Sequence, residues 1–362
     1  MRPAHGADPG AAPTLSVVVC CYTTDRWDDV RAAVASVAAQ RPPVLETLVV
    51  VDHCPALERL VERLADGTRV RVVANAERRG LSGARNTGVA AARGEVVAFL
   101  DDDAAAEPDW AAALLAGYAR RAEADDPDVL GVGGAVLARW EGGRPRWFPP
   151  EFDWVVGCSY RGGPETAAPV RNFIGANMSF RRAALTEAGG FRTDLGRVGT
   201  RPLGCEETEL CLRLTASRQD AALLHRPDAV VRHHVPPQRG TWRYFLTRCY
   251  GEGLSKSAVA ARTGASRALA SERAYLRSAV PHAVAAALLP GPRWSPGRAL
   301  ALGAGVSATV LGYAAGTLDR LRSSRPDAAA TGARPGRPLR ALATSALLSA
   351  RPARRRERGG GR

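Results

Sequence analysis

The sequence predicts an α/β fold: a mostly parallel, Rossmann-like central sheet with helices on both faces, followed by a helical C-terminal extension. Three observations lead there. Short β-branched runs alternate with segments of helical periodicity over the first hundred residues, and their connections are short. The second run ends on Asp52, and the fourth on three consecutive carboxylates, Asp101, Asp102 and Asp103. At 362 residues and 46% hydrophobic content, the chain is long enough to bury one large α/β domain with an appendage.

Leu15 to Cys21 is a β-branched strand, and Asp28 to Gln40 has helical spacing with an acidic first turn. Leu45 to Val51 is the second strand. Ala56 to Leu64 reads as helix, Val70 to Val73 as strand, Ser82 to Ala92 as a helix capped by Ser82, and Val96 to Leu100 as the strand before the acids. Beyond Val136 the pattern loosens into a Trp-, Pro- and Gly-rich stretch from Arg139 to Gly163. Order returns with Phe173 to Phe180, a helix near Arg182 to Ala188, a helix from Glu206 to Ala216, a strand from Ala229 to Val235 and a helix from Thr241 to Gly253. Two apolar stretches follow, Ala279 to Leu289 and Ala299 to Leu318. The second has about 20 residues without a charge, enough to cross a bilayer, but its many Gly, Ala and Thr residues fit an interfacial or protein-packed helix as well.

The formal net charge is +14, and it is unevenly placed. From Asp319 onward twelve arginines face only Asp319, Asp327 and Glu357, so nine of those charges lie in the tail. Lys256 is the only lysine, which marks the arginine excess as compositional bias. Basicity is therefore discounted as a sign of nucleic-acid binding, and no specific nucleic-acid partner is expected; an anionic membrane surface is a possible partner for the tail. The seven cysteines show no CxxC or zinc-type spacing and read as reduced thiols of a cytoplasmic protein. No secretory signal opens the chain, so the expected location is the cytoplasm, peripheral to or anchored at the inner face of the cell membrane.

The three acids sit at the carboxyl end of a strand, where open α/β sheets bind ligands. Adjacent carboxylates repel and raise one another's pKa unless positive charge sits among them, and a divalent cation supplies it. An acidic turn before the helix begun by Pro108-Asp109-Trp110 is the structural alternative.

The stretch Asn75-Ala76-Glu77-Arg78-Arg79-Gly80-Leu81-Ser82-Gly83-Ala84-Arg85-Asn86-Thr87-Gly88, with Gly94-Glu95 and the acid triplet after it, resembles the signature of family 2 glycosyltransferases, which have the GT-A fold. Ser16 to Tyr22 and the strand ending at Asp52 look like that family's nucleotide-base elements, and Gly204 to Arg213 like its acidic acceptor-side helix. The blocks stand in the family's order across residues 14 to 255. The run Trp147 to Trp154, with Gly199 to Gly204, resembles a branch that includes enzymes adding glucuronate to a lipid-linked glucose.

The resemblance implies a metal-dependent inverting transfer from a nucleotide-sugar, a UDP-sugar by preference, to a cell-envelope, glycan or polyprenyl-linked acceptor. Asp103 would bind Mg²⁺ or Mn²⁺, Asp101 would reach the ribose or share the metal, and Asp102 would contribute second. Asp52 would accept from the base, Tyr22 and Thr23 would line its pocket, and Arg85 would lie on the nucleotide side unless it makes only a helix-surface salt bridge. Glu207, with Glu206 beside it, stands where the family carries its Glu-Asp pair and would take the acceptor's proton; Glu in place of Asp moves that carboxylate by about one bond, and ~1 Å can cost on the order of 100-fold in rate. Acids in a first helical turn are also favoured by the helix dipole whatever their function. His233, in preference to His234, would complete the metal site, since strand alternation lets only one of them do so. Asn177 would lie beneath the donor sugar. The aromatics from Trp140 to Tyr160 suit an acceptor pocket or packing under the sheet.

By this reading residues 1–13 form a flexible N-terminus, 14–136 the nucleotide-sugar half, 137–255 the acceptor half, 256–319 a helical, membrane-associated extension and 320–362 a basic disordered tail. Two other readings stand beside it: within the class the resemblance implies, a synthase loading sugar onto polyprenyl phosphate, and, from the basic composition, a non-catalytic sugar-nucleotide- or nucleic-acid-binding protein.

Overall fold

The structure, a computed structural model, describes residues 12–65, 69–119, 127–197, 204–216, 218, 220–289 and 294–323. The expectations for the extreme N-terminus, for the segment Gly199 to Leu203 and for most of the basic tail lie outside the described residues.

Nine strands form one sheet: β1 (Leu15–Cys21), β2 (Glu46–Val51), β3 (Val70–Ala74), β4 (Val96–Asp101), β5 (Ala104–Ala106), β6 (Asp128–Trp140), β7 (Ala168–Pro169), β8 (Asn177–Arg181) and β9 (Ala221–Val235). The order is β3-β2-β1-β4-β8-β6-β9-β5, with β7 on β9. The four N-terminal strands are parallel, as the alternation with helices requires; β8 is antiparallel to both neighbours, and β6 runs parallel to β9. The helices are α1 (Trp27–Ala38), α2 (Pro55–Val61), α3 (Leu81–Ala91), α4 (Trp110–Ala116), α5 (Arg182–Glu187), α6 (Glu206–Ala216), α7 (Trp242–Thr263), α8 (Ala265–Ala268), α9 (Ala270–Arg277), α10 (Ala279–Leu288) and α11 (Pro296–Ser323).

Side-chain alternation divides the core. Val17, Val19, Ala98 and Leu100 pack on one face of the sheet, and Val18, Val97, Phe99 and Leu48 on the other. Each fully buried side chain of this size contributes about 1.5–3 kcal/mol. Both faces being covered explains why β1, β2 and β4 read as continuous apolar runs rather than alternating ones.

Three expectations shift. Ser82 lies inside α3, not at its cap: Gly80, at φ 131°, precedes the helix, and the Ser82 hydroxyl donates to the Leu195 carbonyl. β6 runs past Val136 as far as Trp140, and β9 starts eight residues before Ala229. These two long strands pair through a register shift at Gly134/Ala135, where a Cβ on Gly134 would stand 1.9 Å from the Ala229 carbonyl oxygen. The bulge breaks the alternation that a sequence reading relies on.

The aromatic side chains Trp147, Phe148 and Phe152 pack against α7. Trp147 stacks on Trp242 at 4.2 Å between ring centroids, and Phe148 and Phe152 meet Phe245. Phe152 and Phe245 in turn close on Gly305 of α11. Along this seam a Cβ on Gly253 would come 2.1 Å from Thr309 O, and one on Gly312 would come 2.1 Å from Tyr250 O, so α7 and α11 touch backbone to backbone. The outer face of α11 exposes Leu300, Val310, Leu311, Leu318 and Leu321. The helix is long and apolar enough to cross a membrane, and its inner face packs on α7 and the Phe152–Phe245 seam.

Candidate active site

The strand order reverses between β1 and β4, the place where the carboxyl ends of an open α/β sheet leave a crevice. A pocket opens there, lined by Tyr22 after β1, Asp52 after β2 and Asp101, Asp102 and Asp103 after β4. His233 of β9 lines it too. Its position follows from backbone pairing: β5, which starts one residue after the triplet, pairs Ala104 with His233, and the His234 N–H donates to the Asp103 carbonyl at 2.7 Å.

Asp103 is the most heavily partnered of the three acids. Its Oδ1 lies 2.9 Å from His233 Nε2, and its Oδ2 accepts from Arg239 at 2.9 Å and stands 3.2 Å from Arg26. Burial would raise its pKa, but His233 first, then Arg239 and Arg26, hold it well below the usual carboxylate range. Burial pushes the His233 imidazole down, but the charge and hydrogen bond of Asp103 together with Cys158 raise it to about 10. Ligand atoms of Asp101, Asp103 and His233 lie within 4.8 Å of one another. Two carboxylates and an imidazole converging on an open pocket fit a divalent cation of the Mg²⁺ or Mn²⁺ type.

Asp102 differs from its neighbours. Its Oδ1 accepts from Arg26 at 2.9 Å, while Oδ2 is buried with no hydrogen-bond partner. Burial and the adjacent Asp103 charge raise its pKa to about 7 against the pull of Arg26. Asp52 has both oxygens engaged, Oδ2 by the Gly80 N–H at 2.9 Å and Oδ1 by Asn75 at 2.7 Å, which fixes the carboxylate at the mouth of α3. The Thr23 hydroxyl accepts from Asp25 N–H and caps the short turn that carries Arg26, so Thr23 shapes the pocket without lining it.

Arg85 is not a surface bridge. It is 2% exposed, donates to Glu206 Oε1 at 2.7 Å and to the Gly175 carbonyl, and lies 3.6 Å from Asp101. The acidic helix α6 is thereby tied to α3 and to the acid triplet. Glu206 Oε2 is buried without a partner, and Glu207, half-buried beside it, has its pKa raised to about 8 by desolvation and then by the Glu206 charge. Neither glutamate lines the pocket itself.

Two assignments from sequence do not fit the geometry. Asn177 is fully buried and its amide is spent: Oδ1 accepts from Trp110 Nε1, and Nδ2 donates to the carbonyls of Ala135 and Ala229. It clamps β8, β6 and β9 together, and its full burial leaves no face open to a sugar. His234 points to the opposite face of β9, where its ring meets Asp29 at 2.9 Å and Glu141 at 3.1 Å, so it does not join the metal group.

Sequence reasoning missed four arginines on the pocket wall, Arg26, Arg197, Arg239 and Arg248. In a chain so rich in arginine their identity carried no signal. The one usable cue was Arg26, which follows directly on the loop after β1.

Residues 16–189 match the family described as Glycosyl transferase family 2. The glucosyl-dolichyl phosphate glucuronosyltransferase of Haloferax volcanii is 36% identical over 243 residues, 67% of this chain and 76% of the relative. The succinoglycan biosynthesis protein ExoO of Rhizobium meliloti is 36% identical over 134 residues, 34% of this chain and 36% of that protein. The solved structure of mannosyltransferase PcManGT from Pyrobaculum calidifontis, in complex with GDP-Man and Mn²⁺, shares the fold at TM-score 0.50 and 20% identity, covering 85% of this chain and 90% of that one. Fold and family together define a glycosyltransferase of GT-A architecture. The chain belongs to glycosyltransferase family 2.

Proposed function

We propose that this glycosyltransferase moves a sugar from a UDP-sugar to a lipid-linked glycan at a membrane surface, with inversion at the anomeric carbon, and that Asp101, Asp103 and His233 hold Mg²⁺ or Mn²⁺ for the reaction. One observation carries the reading: three metal-type ligand atoms within 4.8 Å of one another in a pocket that Asp52 also lines. The glucuronosyltransferase relative, whose name specifies a dolichyl-phosphate-linked glucose, supports the acceptor class.

A divalent ion bound there would neutralise the charge that develops on a leaving diphosphate. The chain's own groups do the rest. Asp52 and Tyr22 would seat the base, and residues 14–136 would form the donor half. Arg26, Arg197 and Arg239 would surround the diphosphate with fixed positive charge in a site of low dielectric. Arg85 would hold Asp101 and α6 in register, and Glu207 would accept the acceptor's proton from the half formed by residues 137–255.

A second reading has a specific support. With its pKa near 8, Glu207 is mostly protonated at neutral pH and stands off the pocket. An ionised phosphate acceptor needs no base, so a polyprenyl-phosphate sugar synthase fits that geometry. The deciding experiment measures nucleotide release from several sugar nucleotides with Mn²⁺ and with Mg²⁺, for the wild type and Asp103→Ala. Release that depends on metal and on Asp103 is expected; equal release by both proteins, with or without metal, would defeat the proposal.

A further inference from the structure

A second cavity, of about 420 Å³, lies between residues 150–162 and the C-terminal helices. That volume falls in the roughly 300–1,000 Å³ range of small-molecule sites. Its helical wall comes from Ala279, Ala283, Ala286 and Ala287 of α10, which recur on one helix face, and its floor includes Leu302 of α11. Larger side chains at those alanines would fill the space. Arg161, His282 and Arg298 also line it, against the single carboxylate of Glu151, which already pairs with Arg161 at 3.2 Å. The cavity is therefore apolar in its walls and cationic in its charge.

Its place in the fold matters as much as its lining. Pro150 and Glu151 face this cavity, while Val155, Val156 and Gly157 line the catalytic pocket, so one short segment borders both. Glu151 and Val155 are four residues apart, which limits their separation to about 14 Å. The large apolar side chains exposed on the described surface are concentrated on and beside the helices forming this wall: Leu276, Leu288, Leu289, Trp294 and Leu300 stand at the N-terminal end of α11 or before it. Such a patch marks contact with lipid or a partner.

We propose that this cavity is a binding site for the polyprenyl-phosphate portion of the acceptor, with the isoprenoid chain on the alanine wall and the phosphate against Arg161 and Arg298. The inference rests on the acceptor reading above and adds the place where the lipid is held. Charge complementarity selects an anionic amphiphile over a neutral one, and the shared segment sets the acceptor's sugar end toward the catalytic pocket.

The test uses the full-length protein and geranylgeranyl phosphate as the probe, with binding followed by titration calorimetry. Geranylgeraniol and inorganic phosphate serve as separate arms, and metal-dependent nucleotide release without acceptor is measured in parallel. Saturable binding of the probe is expected, weakened about tenfold or more by Ala286→Phe and by Arg298→Gln, with donor hydrolysis unchanged in both variants. The Arg298 substitution sits at a partly exposed position and keeps the test valid should the bulkier one fail to fold. Equal affinity of wild type and both variants would overturn the proposal, as would inorganic phosphate binding as tightly as the probe. Absence of probe binding while donor hydrolysis persists would overturn the cavity assignment alone. Loss of metal-dependent release in the wild type would instead strike the functional reading, and probe binding would still decide the cavity.

Discussion

Arg85 Nη1 and Glu206 Oε1 lie 2.7 Å apart, both side chains almost wholly buried, and join α3 to the first turn of α6. Removing one partner leaves an uncompensated buried charge, which costs about 3–5 kcal/mol. Arg85→Met should therefore lower the urea midpoint sharply, and Arg85→Met combined with Glu206→Leu should recover most of the loss. A double variant no more stable than the single one would mean that the pair holds α6 by geometry that hydrophobic packing cannot replace.

Replacing Asp103 with Asn should abolish tight Mn²⁺ binding and reduce nucleotide release about 100-fold or more, the scale of losing several kcal/mol of charge stabilisation. His233→Ala should follow it. His234→Ala, whose ring meets Asp29 and Glu141, should leave the Mn²⁺ affinity unchanged. Isothermal titration with Mn²⁺ separates the two histidines directly.

If Glu207 is the base, only its ionised form works, so kcat/KM on a hydroxyl acceptor should rise with pH through about 8, and Glu207→Gln should remove that limb. Stability runs the other way. The group's folded pKa is raised, so its contribution is complete below the ordinary value of about 4.5 and is lost as pH climbs through about 8. A rate flat across that range with Glu207→Gln fully active would assign the chemistry to an ionised acceptor.

Asn177→Ala strands the Trp110 Nε1–H and two carbonyls in the core, at about 1–3 kcal/mol for each buried group left unsatisfied. Chemical denaturation should show the loss, while the KM for the sugar nucleotide stays at the wild-type value. A raised KM with normal stability would return Asn177 to the donor site.

Gly253→Val places a branched side chain where a Cβ already meets Thr309 O at 2.1 Å. Overpacking of this kind costs about 1–3 kcal/mol and should loosen α11 from α7. Limited proteolysis within 294–323 should speed up relative to the rest of the chain.

Much of the segment from β1 to β4 was legible because its signals are local. The runs at β1, β2 and β4 announce buried strands, and the acids at the carboxyl ends of β2 and β4 follow the rule for open α/β sheets. The segment beyond Val136 was less so, since the bulge opposite Ala229 shifts the register of β6 and β9 and hides their alternation. The pocket arginines were hidden for another reason: a chain with one lysine and so many arginines gives no contrast by which to single out Arg26 or Arg239.

The sequence by itself determined the strand and helix alternation, the acid triplet at the end of β4 and the family those motifs resemble, because each depends on residues within a few positions of one another. Only the tertiary structure decided that His233 and not His234 faces Asp103, that Arg85 is spent on Glu206 and Asp101, and that Asn177 serves the sheet. Those outcomes hang on the register between β5 and β9 and on the docking of α6. A one-residue slip in a strand turns every side chain to the other face, and no local pattern records which register the fold selects.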